Sequence, residues 1–210
     1  MYTFKVYRMT FWIITIFVIA ISSSTSHGAS LATEESKDHN CTLGDGLKAI
    51  SCVFKMQDFL EKVEDLNLDN KAETANFKSS CDSLRECFTS LDCKTSSTDQ
   101  ETSDISGMIK TYCDTIVYIS TDFVECSDKL EDKSSQCFED WDPFPEDVSK
   151  ETDPVKKKEK RKLACKNFFG KDNCLKHEIT TMCSEEEWKG FKNHFISLSN
   201  MTRQCDFHEL

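Results

Sequence analysis

Twelve cysteines in 210 residues constrain this chain more than any other feature. They stand at Cys41, Cys52, Cys81, Cys87, Cys93, Cys113, Cys126, Cys137, Cys165, Cys174, Cys183 and Cys205, all beyond an apolar leader. An even number of cysteines behind an export signal reads as a disulfide framework. That framework implies an oxidising compartment and restricts the fold, but it names no activity. Twelve cysteines admit on the order of ten thousand pairings, and their spacing alone does not choose among them.

Residues 1–22 read as a signal peptide. Lys5 and Arg8 form a basic start, and Phe11 to Ile21 is an apolar run. That run is shorter than the ~20 residues a membrane span needs. Cleavage after Ser22 leaves Ala20 and Ser22 as the small residues before the cut. Residues 23–40 are then expected as a flexible segment and 41–207 as one folded domain. The expected product is secreted, with no transmembrane anchor after cleavage. The tail from Phe207 to Leu210 has His208 where an ER-retrieval signal wants an acid, so ordinary secretion is expected. The chain has 37 acidic and 26 basic side chains, a net charge of −11. So acidic a chain repels phosphate backbones, and no nucleic-acid partner is expected.

The apolar residues recur at helical spacing. Leu47, Ile50, Val53, Phe54, Leu60 and Val63 form a first stripe, broken at Gln57. Phe77, Cys81, Leu84, Phe88 and Leu91 form a second. A third runs from Ile105 through Ile109, Tyr112 and Ile116 to Phe123 and Leu130. Trp141 to Pro145 cannot continue a helix, so 138–153 reads as an irregular connection. Asp153-Pro154 restarts a helix as N-cap and N1, and Gly170 closes it. Ser184 and Glu187 have capping-box spacing ahead of Trp188, Phe191, Phe195 and Leu198. A short helix fits 175–179. The expected fold is all-α, a disulfide-stapled bundle of about five to six helices in a single extracellular domain. Cys81, Cys87 and Cys93 are spaced by six, and each step of six turns a helix by about 240°. They therefore need different partners.

These landmarks resemble a known family. The run from Cys81 to Cys87 (Cys-Asp-Ser-Leu-Arg-Glu-Cys) leads to Cys93, and Trp141-Asp142-Pro143 follows. Next come Phe168 to Cys174 (Phe-Phe-Gly-Lys-Asp-Asn-Cys), Cys183 to Trp188 (Cys-Ser-Glu-Glu-Glu-Trp) and Cys205-Asp206-Phe207. The pattern is similar to the nematode secreted twelve-cysteine domain, domain of unknown function nineteen, over roughly 41–207. The resemblance implies an extracellular domain with six disulfides. It implies no catalytic residues and no established ligand.

Residue chemistry points the same way. The chain has no Cys-x-x-Cys or His-Glu-x-x-His, so no zinc is expected. Asp65, Asn67 and Asp69 have the spacing of a calcium loop, but Asn70 replaces its glycine and Asn76 its bidentate glutamate. A polar, helix-capping turn is expected there. No Gly-x-Ser-x-Gly is present, and an even cysteine count leaves no thiol over. His177, His194 and His208 form no metal-spaced pair, and His177-Glu178 reads as a solvated helix end. No catalytic, metal or cofactor residue is assigned. Lys156 to Lys162 is the one basic run. It reads as a solvated helix face, with glycan or lipid contact and dibasic processing at Lys160-Arg161 as alternatives. Asn40 and Asn200 fit the N-glycosylation sequon. The fifteen phenylalanines suit a packed core, or else a cavity for an apolar ligand. The expected function is a non-enzymatic extracellular binding module for an unknown protein or glycan; the alternative is a carrier of small apolar ligands.

Overall fold

The structure, a computed structural model, describes residues 43–64, 66–91 and 96–207. The signal peptide, the 23–40 segment, Asn40, Cys41, Asp65, Cys93 and His208 lie outside them. The described chain is helical, with no strand among the described residues. It divides into two compact units, one ending at Cys113 and the other starting at Asp114.

The first unit contains α1 (Leu43–Glu64), α2 (Lys71–Thr89) and the start of α3 (Ser96–Ser120). Asn70 caps α2 by accepting hydrogen bonds from the Ala72 and Glu73 amides. Glu73 reaches back to the Asn67 amide at 3.0 Å and the Asn70 side chain at 2.7 Å. Asn67 in turn accepts from the Asp69 amide. Of the oxygens that suggested a calcium loop here, Asn67 Oδ1 satisfies a backbone donor of the turn.

Of the expected stripe on α1, Val63 is buried, but most of the core side is made by other residues. Cys52, Met56, Phe59 and Val63 are buried, whereas Leu47, Ile50, Val53 and Phe54 are 52–65% exposed. At 100° per residue the two sets centre on nearly opposite faces. Both have helical spacing, so periodicity could not choose between them. The disulfide Cys52–Cys87 ties the Cys52 face to α2. Phe59, Phe77 and Tyr112 then pack as a trio, with Tyr112 edge-on to both phenyl rings at 6.2 Å. Cys81–Cys113 links α2 to α3 beside them.

The second unit contains the end of α3, α4 (Val124–Asp132), α5 (Gln136–Asp140), α6 (Glu146–Ser149) and α7 (Pro154–Lys166). A 3-10 turn (Lys171–Asn173), α8 (Cys174–Met182) and α9 (Glu185–Met201) complete it. The third expected helix is thus split. Ser120 and Thr121 hydroxyls donate to the Val117 carbonyl. The Asp122 and Phe123 amides both turn onto the Tyr118 carbonyl at 3.0 Å. This local competition for backbone acceptors ends α3 and drops Phe123 into the core. The stretch 138–153 is also more ordered than an irregular connection. It holds the end of α5 and all of α6, and Trp141, Phe144 and Val148 are buried. The Trp141 indole donates to the Phe168 carbonyl at 2.8 Å.

α7 starts as expected, with Asp153 accepting from the Val155 and Lys156 amides and Pro154 in the first turn. It stops at Lys166, short of Phe168-Phe169, which turn inward. The Ser184 hydroxyl caps α9 by accepting from the Glu187 amide at 3.0 Å. Three disulfides brace this unit. Cys126–Cys183 joins α4 to the end of α8, Cys137–Cys174 joins α5 to its start, and Cys165–Cys205 joins α7 to the segment after α9.

Candidate functional site

Chemistry on sulfur is closed to the ten described cysteines, because all are in disulfides. Cys81 and Cys87 take different partners, Cys113 and Cys52. Among the described residues no three His, Cys, Asp or Glu side chains gather as a metal site. His177 is exposed in the middle of α8, not at its end. Its neighbour Glu178 is half-buried and accepts a hydrogen bond from the Ser135 hydroxyl. Ser135 also accepts from the Phe138 amide, so the pair secures the start of α5.

One cluster has the residue types of an acid–base site: Tyr118, Glu187 and His194. The His194 ring stacks on Tyr118 with centroids 4.1 Å apart, and its Nδ1 lies 2.9 Å from the Gly190 carbonyl. The Tyr118 hydroxyl donates to Glu187, to the carbonyl at 3.2 Å and the carboxylate at 3.4 Å. Burial, reinforced by the Glu187 charge, pushes the phenol above its ordinary range. The phenol is stacked on His194 and hydrogen-bonded to Glu187, and it packs closely against the first turns of α9. Gly190 is what admits it, since a β-carbon there would lie 2.8 Å from the Tyr118 hydroxyl oxygen and 3.2 Å from its ring. Alanine in mid-helix ordinarily gains up to about 1 kcal/mol over glycine. Gly190→Ala is instead expected to destabilise by ~1–3 kcal/mol through overpacking. Gly190→Ala with Tyr118→Phe should recover part of that loss in denaturant unfolding. A stabilised Gly190→Ala single variant would contradict this packing.

The aromatic residues form a filled interior. Phe191 lies 4.5 Å from Phe195, 4.9 Å from Phe123 and 5.1 Å from Trp141, ring centroid to centroid. Phe168 and Phe169 meet edge-to-face at 5.0 Å, and Phe169 meets Trp188 at 5.1 Å. Beside this interior is a groove of about 720 Å³ between α5, α7 and the 3-10 turn. Trp141 and Leu163 line it together with Asp140, Lys166, Lys171 and Asp172. The groove is open and mixed in charge, unlike an enclosed apolar ligand cavity.

Two features stand out at the surface. In the first unit, Leu47, Ile50, Val53 and Phe54 make an apolar stripe along one face of α1. In the second, α7 has no buried residue and carries the basic run. Asn200 of the sequon is exposed in the last turn of α9. Of the first stripe expected from the sequence, Leu47, Ile50, Val53 and Phe54 lie on this outward face and Val63 lies in the core. The signal that could have moved those four outward is Cys52, which belongs to the opposite face and must be inside to bond across helices.

The cysteine-braced helical pattern can now be set beside known proteins. The family described as Domain of unknown function (DUF19) matches residues 41–206. This chain belongs to the DUF19 family. Its DUF19 match covers both described units. Three Caenorhabditis elegans proteins are similar over nearly their whole length. UPF0376 protein F10G2.1 is 48% identical, across 95% of this chain and 98% of that protein. Excretory canal abnormal exc-13 is 45% identical, across 87% and 90%. UPF0376 protein C36C5.12 is 38% identical, across 97% and 92%. No solved structure matches this DUF19 chain. Its disulfides are compatible with an extracellular protein, and no helix among the described residues is long and apolar enough to cross a membrane.

Proposed function

We propose that this DUF19 chain is an exported, glycosylated, non-enzymatic binding module that docks a protein partner through α1. The observation that carries this reading is the exposed stripe of Leu47, Ile50, Val53 and Phe54. These side chains sit at i, i+3, i+6 and i+7, close to the anchor spacing of a helix laid in an apolar groove. Fully burying each such side chain is worth ~1.5–3 kcal/mol, so leaving four outside forgoes substantial folding energy. A partner with a complementary apolar groove would recover it. Disulfides support export, and the exposed Asn200 is open to a glycan. One relative is named for an abnormal excretory canal, which makes that tissue a setting in which to test binding.

The test places a photo-crosslinking side chain at position 54 of the full-length protein and exposes it to intact nematode tissue. A position-dependent protein adduct is expected, absent when the crosslinker stands at exposed Glu125. Ile50→Asp should weaken that capture at least ~30-fold, the equivalent of a ~2 kcal/mol hot spot. It should leave the melting temperature unchanged, because the position is solvent-exposed in the folded chain. Equal adducts from positions 54 and 125, or a strongly lowered melting temperature, would remove the reading.

A further inference from the structure

The basic run on α7 divides by direction. Lys160 turns back onto Glu151 at 3.0 Å and Asp147 at 3.5 Å. Its hydrogen bond and charge hold the Glu151 carboxyl below its ordinary range. The Arg161 guanidinium donates to the Gln204 carbonyl, Lys157 reaches the Ser149 carbonyl, and Cys165 is bonded to Cys205. Those four positions define the inner side of the helix. Lys156, Lys158, Lys162 and Lys166 are exposed on its other sides, opposed there by Glu159 alone among the α7 acids. At 1.5 Å per residue they extend over ~15 Å of helix. Val155 and Leu163 are the only large apolar side chains among them, 67% and 61% exposed. The same sequence run thus contains a locking half and an outward half, and solubility alone calls for no such division.

We infer that the outward face of α7 is a binding site for a sulfated polysaccharide chain. The argument is charge complementarity: a row of lysines on a rigid rod meets a linear polyanion, and each contact releases counterions. The net charge of −11 sharpens it, because the molecule as a whole repels polyanions and only a local patch can hold one. Lys166 also lines the adjoining groove, where Lys171 and the acids Asp140, Asp142 and Asp172 leave the charge mixed, so the row of lysines lies along the helix itself. An anionic membrane is the poorer fit, since an interfacial helix needs a broad apolar face with aromatic or leucine side chains. Two aliphatic residues eight positions apart do not make one. The site is independent of the α1 stripe and lies in the other unit.

The test measures binding of the full-length protein to immobilised heparin as a function of salt. Retention at ~0.15 M salt is expected, with elution as salt rises. Lys158→Gln, Lys162→Gln and Lys166→Gln together should weaken binding at least tenfold and reduce the salt slope by roughly two. The same charge change at exposed Lys176, Lys189 and Lys192 should leave it intact. Hyaluronan, which has carboxylates and no sulfates, should bind much more weakly. Crosslinking at position 54 should be unchanged in the α7 variant, which separates the two sites. The inference is overturned by no retention on heparin, by equal losses from the two lysine sets or by equal hyaluronan binding. Capture by phosphatidylserine vesicles that needs Leu163 and Val155, without heparin binding, would also overturn it and identify a membrane instead.

Discussion

Phe191→Ala is expected to lower the stability of the second unit by ~3–5 kcal/mol. Phe191 is 1% exposed and touches rings on every side. Phe123 approaches from the residue preceding α4, Trp141 from the segment after α5, Phe169 from beyond α7, and Trp188 and Phe195 from α9 itself. Deleting the ring loses its transfer free energy and leaves a cavity between side chains that cannot all close in. Offset and edge-on ring pairs add about 0.5–1.5 kcal/mol each beyond area burial. For a unit of this size each kcal/mol shifts the melting point by roughly 4–8 °C, so the drop should exceed ten degrees. Phe191→Leu, which keeps much of the volume, should cost clearly less. An alanine variant within ~1 kcal/mol of the parent would mean that the interior is loosely filled. The carrier alternative would then regain ground.

Gly170→Ala is expected to cost ~2–6 kcal/mol by two separable routes. Its backbone sits at φ 82°, ψ 164°, a region open essentially to glycine and costing other residues ~1–3 kcal/mol. A β-carbon there would also lie 2.5 Å from Cys174 Sγ and 2.9 Å from Cys137 Sγ. The chain can turn from α7 into α8 beside that disulfide only because the side chain is missing. Overpacking a buried site typically adds ~1–3 kcal/mol. Repeating Gly170→Ala in a Cys137→Ala, Cys174→Ala background removes the steric part and leaves the backbone part. The cost in that background should therefore be smaller. Equal costs in both backgrounds, measured by urea unfolding, would show that contact with the sulfurs contributes nothing.

Much of this architecture is written in local signals. Asp153-Pro154 and Ser184 start α7 and α9 because a cap's side-chain oxygen acts on its own backbone neighbours. The stripe from Trp188 to Leu198 is unambiguous, since α9 has one apolar face. α1 has two, and only a long-range partner, Cys87, selects between them. The end of α3 is hidden in the sequence for a related reason. Its apolar period continues into α4, and the break comes from Ser120 and Thr121 binding the Val117 carbonyl. The 138–153 stretch looked irregular because proline forbids long helices. Its order comes instead from tertiary contacts, Trp141 with Phe168 above all. The basic run was visible as charge, but its two halves were not, because Glu151, Asp147 and Gln204 lie far from it in sequence or on other elements. Disulfide pairing was the least legible of all, as it depends on which faces the completed fold brings together.

Five cross-links among the described residues fix those faces, including the ones that leave the α1 stripe and the α7 lysines outward. Peptide mapping of the unreduced protein, digested at acid pH to prevent exchange, reads them directly. The expected links are Cys52–Cys87, Cys81–Cys113, Cys126–Cys183, Cys137–Cys174 and Cys165–Cys205. Recovery of any of these ten cysteines as a free thiol, or joined to a different partner, would contradict the fold and both surfaces derived from it.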